Sequence, residues 1–443
     1  MIALNREQIS FLPRFYRLSA IAILSNMMVP LAGLCDTAFL GHLEDIQPLA
    51  GVILASILFD YLYRVLKFLR NSTNAMTAQA VGEADEPGII LAILRSSMIA
   101  LAIALTILVL QYPIQKLGFW LLSGTPTIET EGIAYFSARV YGAPAVLLNF
   151  VVLGWLLGKE KNGVVLLISL LANGSNAWFD YLTVYRWGWG SAGAGWATAW
   201  SQYLALLVGA IAIIGAIDRA SLRLALQQAW DLPALKAAIS LKFDILVRFL
   251  ALITAYSLFT NCSATLGTDL LAENGLLLQI ALLSQFTIQG IGMTTQTLIG
   301  NFKGQKAFNP MLPLLMVAII NALAIALCFA GSTLLFPETI FGWLTNHGEI
   351  SQEISHYTVW LLPLLSFTAI AFMLEGYFIG LKESAILRNS ALTAFTVFLP
   401  LLLGAWYFHS VSLLWSALIA YMAMLIFALA KEVLPTHQGL MQG

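Results

Sequence analysis

Long apolar stretches, interrupted by glycine, proline or charged residues, recur along the whole chain. A helix needs about 20 mostly apolar residues to cross a bilayer, and twelve stretches reach that length. They lie near residues 15–40, 48–72, 88–111, 133–157, 163–185, 192–216, 240–266, 275–300, 312–336, 354–380, 386–408 and 411–431. Membrane barrels use alternating strands of about ten residues, which these stretches exceed. The pattern therefore predicts an all-α integral membrane protein with twelve transmembrane helices.

The composition supports this class. Of the 443 residues, 59% are hydrophobic and 10% are charged, whereas a typical soluble domain carries about 25% charged residues. The shortage of charge excludes an ordinary cytosolic enzyme and a disordered chain. The net charge of −1 gives no attraction to a nucleic acid. The three cysteines, Cys35, Cys262 and Cys328, lie in apolar runs, so we expect no disulfide framework.

The basic residues indicate how the chain is oriented. If the N-terminus is cytoplasmic, the inner segments hold most of the 22 lysines and arginines, and the outer segments hold only Lys116 and Arg186. The positive-inside rule then places both termini in the cytoplasm of a bacterial-type inner membrane. The first residues lack the pattern of a removable signal. The five histidines are too scattered for a metal site, and we expect no metal or cofactor.

The two halves of the chain resemble each other. The longest polar connection, near residues 217–239, separates six predicted spans from six. Three pairs of similar segments follow in the same order: 36–41 with 262–267, 77–82 with 295–300, and 154–158 with 376–380. Chance similarity between apolar segments is the alternative. Because six spans per half is an even number, the predicted repeat is parallel. We predict six-helix lobes at residues 1–220 and 240–443, joined by a cytoplasmic connection at 221–239.

Several motifs point to one transporter family. Residues 30–41, PLAGLCDTAFLG, contain a proline, an Asp-Thr pair and a glycine at characteristic spacing, and further motifs lie at 68–70, 79–82, 176–180 and 375–380. Together they resemble the multidrug and toxic compound extrusion (MATE) family over essentially the whole chain, and look closest to its DNA-damage-inducible F-like branch. The resemblance implies two six-helix lobes that export compounds in exchange for protons or sodium ions. The sequence has no P-loop, and therefore no ATP motor of its own.

The sequence departs from the family pattern in its second half. The seventh span carries Asn261 and Cys262 where members outside this branch often have an acid. The eighth span carries Gln289 and Gly290 where members of this branch commonly have an Asp-Gly pair. The resemblance therefore favours an ion site in the first lobe alone.

Asp36 is the first candidate for that site. A carboxylate at bilayer depth costs at least about 2.5 kcal/mol, so it needs a reason to be there. Pro30, six residues earlier, cannot donate to the helix ladder and clashes with the carbonyl of Asn26, so we expect a hinge. A titratable group beside a hinge can couple protonation to shape. The alternative is an aspartate satisfied by neighbouring hydroxyls, without a role in transport.

Asp180 is the second candidate. The fifth span carries polar residues at steps of three, four and three, which share one helix face: Asn173, Asn176, Asp180 and Thr183. Such a face is expected to border a wet cavity, although an interhelical hydrogen-bond seam is the alternative. We predict that Asp36 and Asp180 share a proton site with Asn176. Two facing carboxylates repel, so one is expected to hold a proton near neutral pH.

Other polar residues within the spans have weaker assignments. Glu375 in the tenth span could bind an ion or a cationic substrate, or brace its helix. Gln285 and Gln289 could line a neutral part of the cleft, or bond helix to helix. Asn173 and Thr183 join them as candidate cleft residues. A charged stripe in the second span is interpreted as a compensating ion-pair ladder and consists of Asp60, Arg64, Lys67 and Arg70.

These features predict a secondary active antiporter, not an enzyme, that exports organic compounds, cationic or amphipathic, in exchange for protons. The expected partners are small organic substrates and the lipid bilayer, and we expect a monomer. Sodium coupling within the same fold is one alternative. A lipid or glycolipid flippase of the related superfamily is another, but it would favour a basic cleft over deep acids. A membrane-embedded enzyme would need clustered motifs such as HExxH, and a scaffold would leave the acids unexplained.

Overall fold

The described part of the chain consists of helices joined by short turns and connections. The computed structural model describes residues 10–41, 47–122, 125–344, 354 and 357–442, with the backbone alone for residues 29–41, 232, 268, 269, 343 and 344. No strand occurs among these residues. The predicted all-α class is confirmed for this part of the chain.

The helices follow one another with short connections. The first ten are α1 (Leu12–Gly41), α2 (Gln47–Leu66), α3 (Phe68–Gly82), α4 (Glu86–Val109), α5 (Gln111–Leu122), α6 (Pro126–Arg139), α7 (Ala143–Gly158), α8 (Asn162–Asp180), α9 (Gly190–Ile214) and α10 (Arg219–Gln228). The others are α11 (Leu232–Leu266), α12 (Thr268–Gly304), α13 (Met311–Leu335), α14 (Pro337–Leu344), α15 (Leu361–Gly380), α16 (Ser384–Phe408) and α17 (Val411–Gln442). A π-helix over Tyr181–Arg186 continues α8.

Nine helical segments of the described residues are long and apolar enough to cross a membrane. They are Gln47–Gly82, Glu86–Val109, Pro126–Gly158, Gly190–Ile214, Leu270–Gly304, Met311–Leu335, Thr358–Gly380, Ser384–Phe408 and Val411–Gln442. The other three predicted spans coincide with α1, α8 and α11, which carry polar or charged residues along their lengths. The chain is a multi-pass membrane protein, and the count of twelve spans stays a prediction.

The helices cluster into two compact units. The N-terminal unit comprises Met27–Lys242, and the C-terminal unit comprises Met1–Asn26 with Phe243–Gly443. Both boundaries fall inside helices, one in α1 and one in α11. The predicted lobes at 1–220 and 240–443 divide the chain by sequence similarity, whereas these units divide it by spatial contacts. The lobes therefore stay a prediction.

Each unit has its own aromatic core. In the N-terminal unit the Phe59 ring stacks on Phe136, with ring centroids 5.0 Å apart, and the Trp155 indole donates to the carbonyl of Ile89 at 2.9 Å. In the C-terminal unit Trp415 meets Phe259 edge-on at 4.9 Å. Burial of these large side chains packs α2 against α6 and α7 against α4 in the N-terminal unit, and α11 against α17 in the C-terminal unit.

Glycines allow two helices to approach closely in each unit. A Cβ at Gly158 in α7 would lie 2.6 Å from the Cβ of Thr77 and 2.9 Å from the carbonyl oxygen of Asn74, both in α3. A Cβ at Gly380 in α15 would lie 2.6 Å from the carbonyl oxygen of Gln296 in α12. It would also lie 3.0 Å from the Cβ of Ile299. Both contacts need glycine, because any larger residue would overlap the facing helix.

The ends of these four helices share an uncommon backbone conformation. Shortly after α3, α7, α12 and α15, one residue adopts the left-handed region, with φ between 56° and 60°. These residues are Ala84, Glu160, Lys306 and Lys382. Each lies in the connection to the next helix. Lys306 follows Ala84, and Lys382 follows Glu160, by 222 positions.

Candidate functional site

The centre of the predicted ion site lies inside the N-terminal unit, on α8. Asp180 is 1% exposed and Asn176 is 6% exposed. The Asn176 amide donates to Oδ2 of Asp180 at 3.1 Å. Residues four apart in an α-helix are neighbours on one face, which is the contact that the sequence spacing predicts. The structure thus brings a buried carboxyl and a neutral amide together.

A π-helix begins immediately after Asp180. It covers Tyr181–Arg186, and the Trp187 N–H donates to the carbonyl of Leu182, five residues back, at 2.9 Å. Such widened turns are rare and occur frequently at functional sites. The sequence reasoning missed this element, because an ordinary α-helical spacing was assumed through residue 183.

Thr183 is affected by the wider turn. Its hydroxyl lies 2.9 Å from the carbonyl oxygens of both Phe179 and Gly193, so its single proton is donated to one or the other. Gly193 belongs to α9. Thr183 therefore ties the π-helix to α9 and does not extend the Asn176–Asp180 pair.

Asn173 connects α8 to α1. Its side-chain amide donates to the carbonyl of Met28 at 3.1 Å, within the N-terminal unit. Asn173, the first polar residue of this face of α8, thus contacts the helix that contains Asp36. Pro30 and Asp36 themselves lie in α1 among the residues whose side chains are outside the described part. Their predicted roles stay predictions.

Glu375 forms a buried ion pair that the sequence analysis did not foresee. In the C-terminal unit, the Arg248 guanidinium bonds both carboxylate oxygens of Glu375, and each side chain is 5% exposed. The rings of Phe249 and Phe372 flank the guanidinium at 4.7 and 5.6 Å. Arg248 lies inside the seventh predicted span, 240–266, and this position is the sequence signal for a buried partner. The contact favours a bracing role for Glu375.

A second ion pair of the C-terminal unit joins α11 to α16. The Arg388 guanidinium bonds Oδ1 of Asp244 at 2.6 Å, and the Ser384 hydroxyl donates to Oδ2 at 2.8 Å. Asp244 is buried, whereas the Arg388 side chain is 37% exposed. Both pairs hold α11 against neighbouring helices of its own unit.

The predicted glutamine lining is partly occupied by internal bonds. Gln285 donates to the Tyr256 hydroxyl at 2.6 Å, across from α12 to α11. Gln289 is half-buried, one turn further along α12. The Gln285 contact matches the alternative of helix-to-helix bonding.

The charged stripe of the second span is divided by a helix break. Asp60 and Arg64 form an exposed pair at 3.7 Å, as the ladder interpretation requires. Lys67 separates α2 from α3, and Arg70 is buried in the first turn of α3. The regular helical spacing of the predicted stripe is therefore interrupted at Lys67.

Lys242 is a buried basic residue near the start of the seventh predicted span. It is 2% exposed, and its ammonium lies 3.2 Å from the Ser96 hydroxyl and 3.8 Å from the Met76 sulfur, within the N-terminal unit. Lysine is rarely buried this completely.

Among the described residues, no three His, Cys, Asp or Glu side chains come together in a geometry for a metal ion.

The comparison with family models decides which proteins this chain is related to. The MatE family model matches twice, over residues 22–182 and 245–406. The chain belongs to the MatE family. The resemblance recognised from the motifs at residues 30–41, 176–180 and 375–380 is thereby confirmed. Members of this family are membrane transporters rather than enzymes.

Individual relatives agree with the family assignment. The chain is 29% identical to DNA damage-inducible protein F of Escherichia coli (strain K12), over 91% of this chain and 87% of that protein. It is 25% identical to a probable multidrug resistance protein NorM of Rhizobium meliloti (strain 1021), over 81% of this chain and 79% of the relative. A solved outward-facing multidrug resistance MATE family transporter shares the fold, with a TM-score of 0.86, 19% identity and 96% of each chain covered.

Proposed function

We propose that this MatE-family protein is a secondary active antiporter that exports small organic compounds in exchange for protons, and that the N-terminal unit binds the proton. The observation that carries the proposal is the contrast between two buried acids. Asp180 accepts a hydrogen bond from a neutral amide, whereas Glu375 is paired with a guanidinium. An amide N–H can bond a carboxyl group in either protonation state, but a bidentate guanidinium requires the carboxylate. Protonation of Asp180 can therefore keep this contact, whereas protonation of Glu375 would leave the buried Arg248 guanidinium without its counter-ion.

The position of Asp36 in the sequence fits a shared site. Asn173 contacts Met28, and the predicted topology runs α1 and α8 in the same direction. Asp36 follows Met28 by eight residues and Asp180 follows Asn173 by seven, which correspond to rises of about 12 and 10 Å. The two backbones then reach similar heights in the bilayer. This supports one proton site built from Asp36, Asp180 and Asn176.

The proposed cycle couples this site to the shape of α1. A proton from the outer side removes a buried charge, the first span bends, and the substrate leaves outward. Release of the proton to the cytoplasm resets the protein, and coupling arises because each ligand favours one of two conformations. Pro30 supplies the hinge. Because proline has no N–H, the carbonyl of Asn26 lacks the hydrogen bond that a helix would normally give it. The boundary between the two compact units lies at the same place, between Asn26 and Met27.

An internal parallel repeat, and hence twelve spans in two lobes, is the architecture that we propose. The MatE model matches each half of the chain. The glycine contacts and the left-handed residues recur with a constant separation of 222 positions, as in Gly158 with Gly380 and Ala84 with Lys306. This separation pairs Thr73 with Thr295. The segments 77–82 and 295–300, which were paired on their residue types, would then be offset from this pairing by about one helical turn.

The substrate class rests on relatives and composition. A relative is named a multidrug resistance protein, and the chain carries 12 Met, 25 Phe and 12 Trp residues, which suit apolar and cationic organic molecules. We propose a monomer in a bacterial inner membrane with both termini cytoplasmic. Neither a metal nor a cofactor enters this mechanism.

Dye efflux from proteoliposomes tests the proposal. A proton gradient alone should drive efflux, and a sodium gradient alone, at equal pH on both sides, should not. Efflux driven only by sodium would overturn proton coupling and favour the sodium-coupled alternative. Movement of a labelled phospholipid or glycolipid without dye efflux would overturn export of organic compounds and favour a flippase.

A further inference from the structure

The helix α10, in the connection after α9, is docked on α4. Ala225 and Ala229 pack against Ile90 and Leu91, and the Arg95 guanidinium donates to the carbonyl of Gln228 at 2.7 Å. All of these residues belong to the N-terminal unit. The small alanine side chains let α10 approach α4 closely. Arg95 bonds the Gln228 carbonyl at the C-terminal end of α10, where the last carbonyl groups of a helix have no partner within the helix. This part of the connection is therefore a fixed element.

The remaining surface of α10 has two different sides. Arg219, Arg223 and Leu226 follow at steps of four and three, so they share one face. Leu226 is 54% exposed, and Trp230, just beyond the helix, is 72% exposed. Leu224 is similarly exposed, at 50%, but lies about 160° around the helix from Leu226. Basic residues thus accompany one exposed leucine and not the other.

The docking site on α4 sets the depth of α10. The 24 residues of α4 span about 36 Å, slightly more than the hydrocarbon core of about 30 Å. Ile90 and Leu91 lie about 6–8 Å from the start of α4. Amphipathic helices at membrane surfaces bury their apolar face to a similar depth, about 5–10 Å, at the boundary between headgroups and acyl chains. Tryptophan is enriched at this level.

We propose that α10 lies in the cytoplasmic headgroup–acyl boundary, with Leu226 and Trp230 inserted among the lipids and Arg219 and Arg223 bound to the phosphates of anionic phospholipids. Charge complementarity selects this occupant, because an arginine guanidinium forms a two-pronged bond with a phosphate. The cytoplasmic leaflet is the side on which positive-inside charges meet anionic lipid. In this arrangement the arginines hold α10 at the membrane surface, and the packing on α4 holds it against the protein.

Site-directed labelling distinguishes the two faces. In a background with Cys35, Cys262 and Cys328 replaced by serine, Leu226→Cys and the matched control Leu224→Cys each receive a bimane fluorophore. In vesicles of phosphatidylcholine with phosphatidylglycerol, a phospholipid bearing a nitroxide near its headgroup should quench the label at 226 strongly and the label at 224 weakly. Equal quenching, or stronger quenching at 224, would overturn the proposed face. Labels in water at both positions would overturn the lipid occupant and indicate a protein partner.

The role of charge is tested with Arg219→Gln/Arg223→Gln. Near an anionic surface each arginine favours insertion of the exposed face of α10 into the membrane surface over its withdrawal by roughly five-fold. Quenching at 226 should therefore fall in the double variant, and should fall in the parent when phosphatidylglycerol is omitted. The double variant should be insensitive to that omission. Unchanged quenching in both cases would overturn the phosphate contact, since apolar insertion alone would then hold the helix.

Discussion

The helices α8 and α16 start 222 residues apart, at Asn162 and Ser384, but they present opposite chemistry. Where α8 and its π-helix carry Asn173, Asn176, Asp180 and Thr183, the same positions along α16 are apolar, namely Phe395, Phe398, Leu402 and Ala405. Phe398, Leu402 and Ala405 are buried in the C-terminal unit. The positions compared are thus polar along α8 and its π-helix and apolar along α16.

Each unit nevertheless contains a buried acid within its spans. Asp180 meets an amide on its own helix, whereas Glu375 on α15 meets a guanidinium on α11. Leu153, the α7 residue 222 positions before Glu375, is apolar. The comparison teaches that burial alone does not identify an ion site, because the partner decides whether the charge can change. The proposed division of labour assigns proton exchange to Asp180 and mechanical bracing to Glu375.

The largest effect on stability is expected at the Arg248–Glu375 pair. Arg248→Met leaves a buried carboxylate uncompensated and should lower the free energy of unfolding by about 3–5 kcal/mol. Arg248→Met/Glu375→Leu removes both charges and should recover most of that loss. Chemical denaturation of the purified protein in detergent measures both variants. Arg64→Met is the matched control, because its partner Asp60 is exposed and such pairs contribute about 0–1 kcal/mol.

A recovery that fails in the double variant would show that α11 and α15 need the charges themselves. Glu375 would then be assigned a role in binding an ion or a substrate in addition to bracing its helix. The comparison of the two units would have to include a functional acid on each side.

The similarity between the units is tested at the glycine contacts. Gly158→Ala and Gly380→Ala should each destabilise by about 1–3 kcal/mol, because the added methyl overlaps backbone atoms of the facing helix. Gly174→Ala on α8 is the control, since no atom lies within 4 Å of its added Cβ. Thermal unfolding of the three variants in one detergent gives the ranking. A loss at Gly174 as large as that at Gly158 would show that helix packing is not the cause.

Cys262→Ala should change transport little. The residue is buried in α11, and its replacement removes one weakly polar group. Asp36, by contrast, is an acid within the corresponding first span of the other half. Efflux rates at matched expression test the difference. Loss of coupling in this variant would place part of the ion site in the C-terminal unit.

The smallest effect is expected in α10, which belongs to the N-terminal unit alone. Asp218 caps this helix, and the backbone N–H of Ser221, with further bonds from the Ser221 hydroxyl and the Ala220 N–H, lowers the pKa of the Asp218 carboxyl below its usual value. The cap is therefore fully present above the unfolded pKa of about 3.9 and is lost as pH falls through the lower folded pKa. Hydrogen exchange of the α10 amides, corrected for intrinsic rates, should accelerate on acidification. Asp218→Ala should show the same acceleration at neutral pH, and an unchanged rate would contradict the cap.

The sequence allowed part of this comparison to be predicted. Apolar runs predicted the helical class, and the four-residue step from Asn176 to Asp180 predicted a contact that the structure contains, because helical geometry is local. The Arg248–Glu375 contact joins residues 127 positions apart, and no local pattern specifies it. The π-helix at Tyr181–Arg186 adds one residue to a turn, which spacing rules do not anticipate. The predicted alignment of residues 77–82 with 295–300 rests on similar residue types in the sequence. The glycine contacts instead depend on the packing of helices that are distant in the sequence, which the sequence alone does not specify.

The most direct test of the central claim compares proton-driven dye efflux by Asp180→Asn with efflux by Arg248→Met/Glu375→Leu in the same proteoliposomes. Asparagine retains the size of aspartate and one acceptor oxygen but cannot bind or release the proton. The account predicts that Asp180→Asn, folded and inserted as the parent is, shows no efflux driven by the proton gradient, while the double variant retains it. Proton-driven efflux by Asp180→Asn, together with its loss in the double variant, would contradict the assignment and move the coupling site to the C-terminal unit.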